Sequence, residues 1–239
     1  MATRARHAAM PPEMNDGRTM PGGVVLLHGF GGHSVQTALL ARRLRHAGHT
    51  VANIGYPSWR WPIDRVLDHL HRRITASSLD AGRPLHFIGH SMGGLLLRAY
   101  LARHRPTNLG RVVMLGTPNG GSELADLAYR LRLHPLILNQ AGGLLRTQRE
   151  AAVEALFGQV DYPLGIIAGN RPLPGFLPDL LFRAPHDGKV SVAATHLAGQ
   201  TDHLVLPVAH TAMIYTRPVA DQVIHFLGHG HFRRPMPER

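Results

Sequence analysis

The tightest constraint on the fold is a set of short apolar runs that do not alternate with polar residues. GVVLLHG (23–29), TVANIGY (50–56), PLHFIGH (84–90), RVVMLG (111–116), LGIIAG (164–169) and HLVLPV (203–208) recur along the chain. A strand covered on one face alternates, whereas a strand covered on both faces is apolar throughout. The segments between the runs carry helical spacing: 35–47 closed by Gly48, 62–75 opened by Pro62, 91–105 stopped before Pro106, and 219–227 near the end. Strands alternating with helices predict βαβ units, hence an α/β fold with a mostly parallel sheet of about six strands.

With 239 residues and 44% hydrophobic content, the chain supports one core. One domain is expected over 22–228, with a polar, proline-containing tail at 1–21 and a basic tail at 229–239. No apolar run approaches the roughly 20 residues of a membrane span. The N-terminal segment lacks the apolar centre of a secretory signal. The sequence has no cysteine, which excludes disulfides, thiolate nucleophiles and cysteine-ligated metals. Together these features suggest a cytoplasmic location.

A formal charge of +11 raises a nucleic-acid reading. Arginines 42, 43, 45, 60, 65, 72 and 73 fall at helical spacing among leucines, without interleaved aromatics or a nucleic-acid motif. They read as solvated outer helix faces, and no nucleic-acid partner is expected. Weak contact with an anionic membrane surface is a secondary expectation.

One segment breaks the alternation. Residues 119–162 form a long excursion between the fourth and fifth runs, with Leu124, Leu127 and Leu131 in helical register. So much apolar material suggests a cap or lid, and ordinary crossover helices explain it equally well.

The chemistry begins at Gly89-His90-Ser91-Met92-Gly93, where the third apolar run meets a helix-like segment. A serine on a sharp strand-to-helix turn needs small neighbours, and its hydroxyl faces the carboxyl ends of the strands, where parallel sheets place ligands. Such a serine also needs a base, an orienting acid and donors for an oxyanion. The glycine-rich turn after the first run, His28-Gly29-Phe30-Gly31-Gly32, offers the Phe30 amide, and Met92 follows the serine. A dinucleotide turn fits less well: Ser34 replaces the third glycine, and the next strand ends without an acid. Of eighteen histidines, His210 directly follows the last apolar run, as the chain order serine, acid, histidine requires. Asp187, before Gly188, follows the fifth run; a plain Asp-Gly turn is the alternative. Asp202 precedes the sixth run, and Asp161 and Asp179 fit less well. No metal-ligand spacing is present.

On these residues, with LGTPNGGSELAD (115–126), the chain resembles the α/β-hydrolase superfamily, in particular small bacterial lipase-like and esterase-like members, over roughly residues 22–228. The resemblance implies a three-layer fold with a helical cap insertion at 119–162. It implies carboxylic-ester hydrolysis through an acyl-serine without a cofactor. The expected catalytic residues are Ser91, Asp187 and His210, with Phe30 and Met92 amides at the oxyanion and His28, Gly29 and His90 at the substrate. The leucines of 119–162, with Phe176, Leu177, Leu180, Leu181 and Phe182, suggest an acyl pocket and thus a hydrophobic ester or lipid substrate, although core packing accounts for them as well. A thioesterase, an amidase, a phospholipase, an acyltransferase or a noncatalytic binder of an apolar ligand remain alternatives at this level.

Overall fold

A computed structural model of the chain describes residues 20–79, 82–138, 142–174, 182 and 184–234. Six strands, β1 (Gly23–Leu27), β2 (Thr50–Ile54), β3 (Leu85–His90), β4 (Leu109–Leu115), β5 (Leu164–Gly169) and β6 (Asp202–Leu206), form one sheet in the order β2-β1-β3-β4-β5-β6. All five pairings are parallel. The inner strands β1, β3 and β5 are buried along their whole length, and the edge strands β2 and β6 are partly exposed.

Continuous apolar character follows from the layers on the two faces. Val25, Leu27, Phe87, Val112 and Met114 pack on one side with α2 (Ile63–Thr75) and α3 (Met92–Arg103). Val24, Leu26, Ile88, Val113 and Leu115 pack on the other with α1 (Ala38–His46) and α9 (Arg217–His229). Successive residues of one strand thus enter different cores, so polar side chains are few along the inner strands, His86 and His90 on β3 and Arg111 on β4. Truncating any of these leucines to alanine costs about 2–5 kcal/mol.

The helices start and stop where their local chemistry directs. Pro62 caps α2, Asp64 lies in its first turn and Arg72 and Arg73 in its last, each charge favoured by the helix dipole. The helix expected from residue 35 begins as a 3₁₀ turn, Ser34–Thr37, and becomes α1 only at Ala38, because the His33 ring accepts the Val35 amide and Asn53 and Thr37 hold the turn. The last helix runs longer than 219–227, from Arg217 to His229. The segment after it, expected as a tail, packs onto the domain as far as residue 234. Phe232 is buried against Phe226, and Arg234 pairs with Asp202 at 2.6 Å. Residues 1–19 and 235–239, the greater part of the expected tails, lie outside the described residues. Among the described residues, no helix is long and apolar enough to cross a membrane.

The excursion between β4 and β5 folds into short helices, α4 (Glu123–Arg130), α5 (His134–Ile137), α6 (Gly142–Leu145) and α7 (Ala151–Ala155). Arg149 ties it down: the buried guanidinium donates to the carbonyls of Leu144, Asn119 and Pro118 at 2.7–2.8 Å and stacks over Phe157. The remaining short helix, α8 (Val192–Thr195), follows the loop that carries Asp187.

Candidate active site

Ser91 is the single residue between β3 and α3, with φ 54° and ψ −126°. Such a backbone costs a non-glycine residue roughly 1–3 kcal/mol and persists only where surrounding structure fixes it. Here the Ser91 amide donates to Leu115 O at 2.8 Å, anchoring the turn to β4. The two flanking glycines make room: a Cβ on Gly89 would lie 2.5 Å from the Gly94 nitrogen, and one on Gly93 would lie 2.6 Å from His28 O. The sharp turn lifts Ser91 onto the wall of a cleft at the carboxyl ends of the strands.

His210 follows β6 and begins the 3₁₀ turn Thr211–Ile214. Its Nδ1 lies 2.7 Å from Asp187 Oδ2, with the histidine side chain 5% and the aspartate 0% exposed. With a carboxylate as acceptor, Nδ1–H donates, which leaves Nε2 as the unprotonated nitrogen of the neutral ring. The His210 amide also donates to Asp187 O at 2.9 Å, so backbone and side chain are both held by one residue. Asp187 in turn spends its second oxygen on its own loop, where Oδ1 accepts from the Lys189 and Val190 amides at 2.9 and 2.8 Å. The Asp-Gly turn and the histidine partner are thus the same carboxylate.

His90 lines the cleft beside Ser91, and its Nε2–H donates to His210 O at 3.0 Å. Burial pushes the His90 pKa down to about 3, so the ring stays a neutral donor. Gly29 and Phe30 also line the cleft. His28 does not. It is fully buried under the turn, donating from Nδ1 to Gly29 O at 2.8 Å and accepting the Tyr56 amide on Nε2 at 3.2 Å. Burial lowers its pKa, which favours this neutral form. Tyr56 stacks on it at 4.2 Å and donates its hydroxyl to His28 O. Within the same turn the Gly31 amide goes to Ser58 Oγ at 2.9 Å and the Gly32 amide to Gly29 O at 3.2 Å. Met92 is buried at the first position of α3, where helix amides lack intrahelical acceptors.

The cleft has a volume of about 410 Å³. The polar end holds Ser91, His90 and His210; the excursion supplies Leu124, Leu127, Leu131, Leu133, Leu138 and Leu145 as the opposite wall. On α4 the half-buried Leu124 and Leu127 line the cleft together with the buried Ala125 and Ala128. Residues of the excursion thus border the cleft that holds Ser91. Of the apolar cluster at 176–182, only Phe182 lies within the described residues, and it stacks on His186 at 4.4 Å away from the cleft lining.

Of the rival acids, Asp179 lies outside the described residues and the other two are engaged elsewhere. Asp202 sits at the opposite end of the sheet with Arg234 and the Phe232 amide, and Asp161 pairs with Arg105. Two residues of the site escaped sequence reasoning. A Cβ on Gly116 would lie 3.1 Å from both Asp187 Oδ2 and His210 Nδ1, and one on Gly169 would lie 2.2 Å from Val208 O. Both glycines stand at the carboxyl end of a strand, the one signal that marked them. Among the described residues no group of histidines and carboxylates is arranged to hold a metal ion.

A family model described as the alpha/beta hydrolase family matches residues 24–239. A triacylglycerol lipase of Pseudomonas fragi is 33% identical over 132 residues, covering 48% of this chain and 42% of the lipase. The match therefore spans less than half of that relative. Among solved structures, a Bacillus licheniformis lipase in its mature form superposes with a TM-score of 0.66 at 20% identity, covering 95% of this chain and 96% of its own. Phospholipase PlaB of Legionella pneumophila gives 0.64 at 17% identity, over 87% of this chain and 60% of its own. A metagenomic carboxyl esterase gives 0.65 at 17%, over 84% of this chain and 67% of its own. At these identities the structural likenesses concern the fold alone.

Proposed function

The chain belongs to the α/β hydrolase family, and from that premise we propose that it is a serine hydrolase of carboxylic esters with hydrophobic acyl chains. The observation that carries the proposal is the Asp187–His210 pair, 2.7 Å apart and buried, on the same cleft as a serine held at φ 54°. Lipase and esterase are also the names its relatives carry.

In the first half-reaction, His210 Nε2 takes the Ser91 proton as Oγ bonds to the ester carbonyl carbon. Asp187 holds the ring in the tautomer this step needs and stabilises the imidazolium it produces. The carbonyl oxygen becomes an oxyanion held by the Phe30 and Met92 amides; the start of α3 adds its dipole. The carbon–alkoxide bond then breaks, and His210 returns the proton to the leaving alcohol, leaving an acyl group on Ser91. In the second half-reaction water adds to that carbonyl by the same route, and the acid leaves. Gly29 and His90 border the reacting carbonyl. His28 acts one layer below, keeping the Phe30 turn in place.

The leucines facing Ser91 across the cleft support an apolar acyl group, since burying it releases about 0.8 kcal/mol per methylene. An activated phosphonate ester tests the nucleophile without a choice of substrate. One adduct per chain, mapped to Ser91 by peptide mass and absent from His210→Ala, is the expected result. Labelling elsewhere, or labelling indifferent to His210, would overturn it.

A further inference from the structure

The rim of the cleft has a property that ester hydrolysis does not require. From the last residue of α4 into α5 the chain reads Arg130-Leu131-Arg132-Leu133-His134-Pro135-Leu136, and it presents its leucines to solvent: Leu131 is 57%, Leu133 40% and Leu136 73% exposed. Arg130 and Arg132 are exposed beside them, and no ion pair among the described residues engages either guanidinium. No acid lies between Asp126 and Glu150. Asp126 is occupied by Thr147 and Arg146. Arg132 is one of only two non-glycine residues with positive φ among the described residues, at 57°; Ser91 is the other. A left-handed residue turns the chain sharply here, so leucines and arginines share one projecting tip.

We propose that this tip docks the protein on an anionic lipid surface. Solvent-exposed leucines at a cleft mouth gain from entering an apolar phase, and two unpaired arginines beside them gain from negatively charged headgroups. The same charges disfavour a second copy of the chain as occupant, because a two-fold contact through this tip would set the arginines against each other. They also disfavour a neutral interface, which would have to desolvate them without return. Docking would place the cleft mouth, lined by Leu131 and Leu133, against the surface from which an apolar ester emerges. It does not depend on the chemistry assigned to Ser91.

Co-sedimentation of the full chain with vesicles tests the proposal. Vesicles of phosphatidylcholine alone are compared with vesicles of phosphatidylcholine and phosphatidylglycerol in equal parts, at low and at raised salt. The parent and Ser91→Ala are expected to bind the anionic vesicles alike, at least about ten-fold better than the neutral ones, and less at raised salt. Each arginine near the surface accounts for about five-fold in partitioning, so Arg130→Glu with Arg132→Glu should lose about 25-fold or more. Leu136→Ser should weaken binding at every salt concentration. The Arg130→Glu/Arg132→Glu and Leu136→Ser variants keep turnover of a short soluble ester, which separates loss of docking from loss of fold. Equal binding to both vesicle types, binding indifferent to Arg130 and Arg132, or no binding would each overturn the proposal. So would a concentration-dependent dimer dissolved by Leu136→Ser, which would make a second copy the occupant.

Discussion

Asp187 shows how one side chain fills two structural roles. Its Oδ2 holds His210 Nδ1 and its Oδ1 holds the loop amides of Lys189 and Val190. Removing its charge while keeping its shape separates the two. Asp187→Asn preserves an acceptor for the loop but offers an amide that favours the wrong His210 tautomer. Such a change costs about 10⁴ in kcat where a triad operates. The variant should therefore melt close to the parent while losing turnover by that order, with both measured on one preparation. Comparable losses of fold and activity would mean that the carboxylate is only a turn residue. Ser91, Gly89, Gly93, His210 and Asp187 were legible in the sequence because a strand-to-helix serine and the fixed chain order constrain local composition. Gly116, Gly169, Tyr56 and Ser58 were not, since each matters through a segment distant in sequence that passes against it.

At the scale of elements, α4 brings both its leucines, Leu124 and Leu127, and its buried alanines, Ala125 and Ala128, to the cleft. The leucine register announced a helix, but periodicity alone does not say which partner its apolar face meets. That depends on Arg149, whose three carbonyl acceptors bind the excursion to the end of β4 and to α6. Arg149→Ala leaves those buried carbonyls without donors, at a cost of about 2–4 kcal/mol. Thermal melting should register the loss, and KM for long-chain esters should rise more than for acetyl esters as the leucine wall loosens. An unchanged melt would show that the cap stands without this anchor. Leu127→Trp narrows the same cleft from α4, and it should move the preferred acyl chain to shorter lengths with acetyl turnover retained. An unmoved preference would place the acyl chain elsewhere.

For the whole molecule, the parallel sheet was legible because both faces are covered and its inner strands are mostly apolar. The terminal segment to Arg234 was not, because one phenylalanine and one ion pair decide its packing. The same two-sided cover buries histidines, and this sets the response to acid. His86 and His90 are pushed down to a pKa of about 3, in each case mainly by burial. In the unfolded chain they titrate near 6.5, so below that pH the unfolded state binds protons the folded state refuses. Stability is therefore greatest above pH 6.5 and falls as pH drops toward 3, by roughly 2 kcal/mol per such histidine at pH 5. Urea midpoints across this range should decline accordingly; a flat profile down to pH 5 would contradict the buried, neutral state of both rings.

The central claim is that Ser91 is a nucleophile whose acyl group lies against the cap leucines. Turnover of chromogenic esters from acetyl to palmitoyl, by the parent and by Ser91→Ala, tests it most directly. Parent activity should rise with chain length to an optimum and fall by roughly 10⁴–10⁶ in the variant across the series. Equal, feeble rates in both proteins at every length would contradict the account and leave the elbow as a strained turn without chemistry.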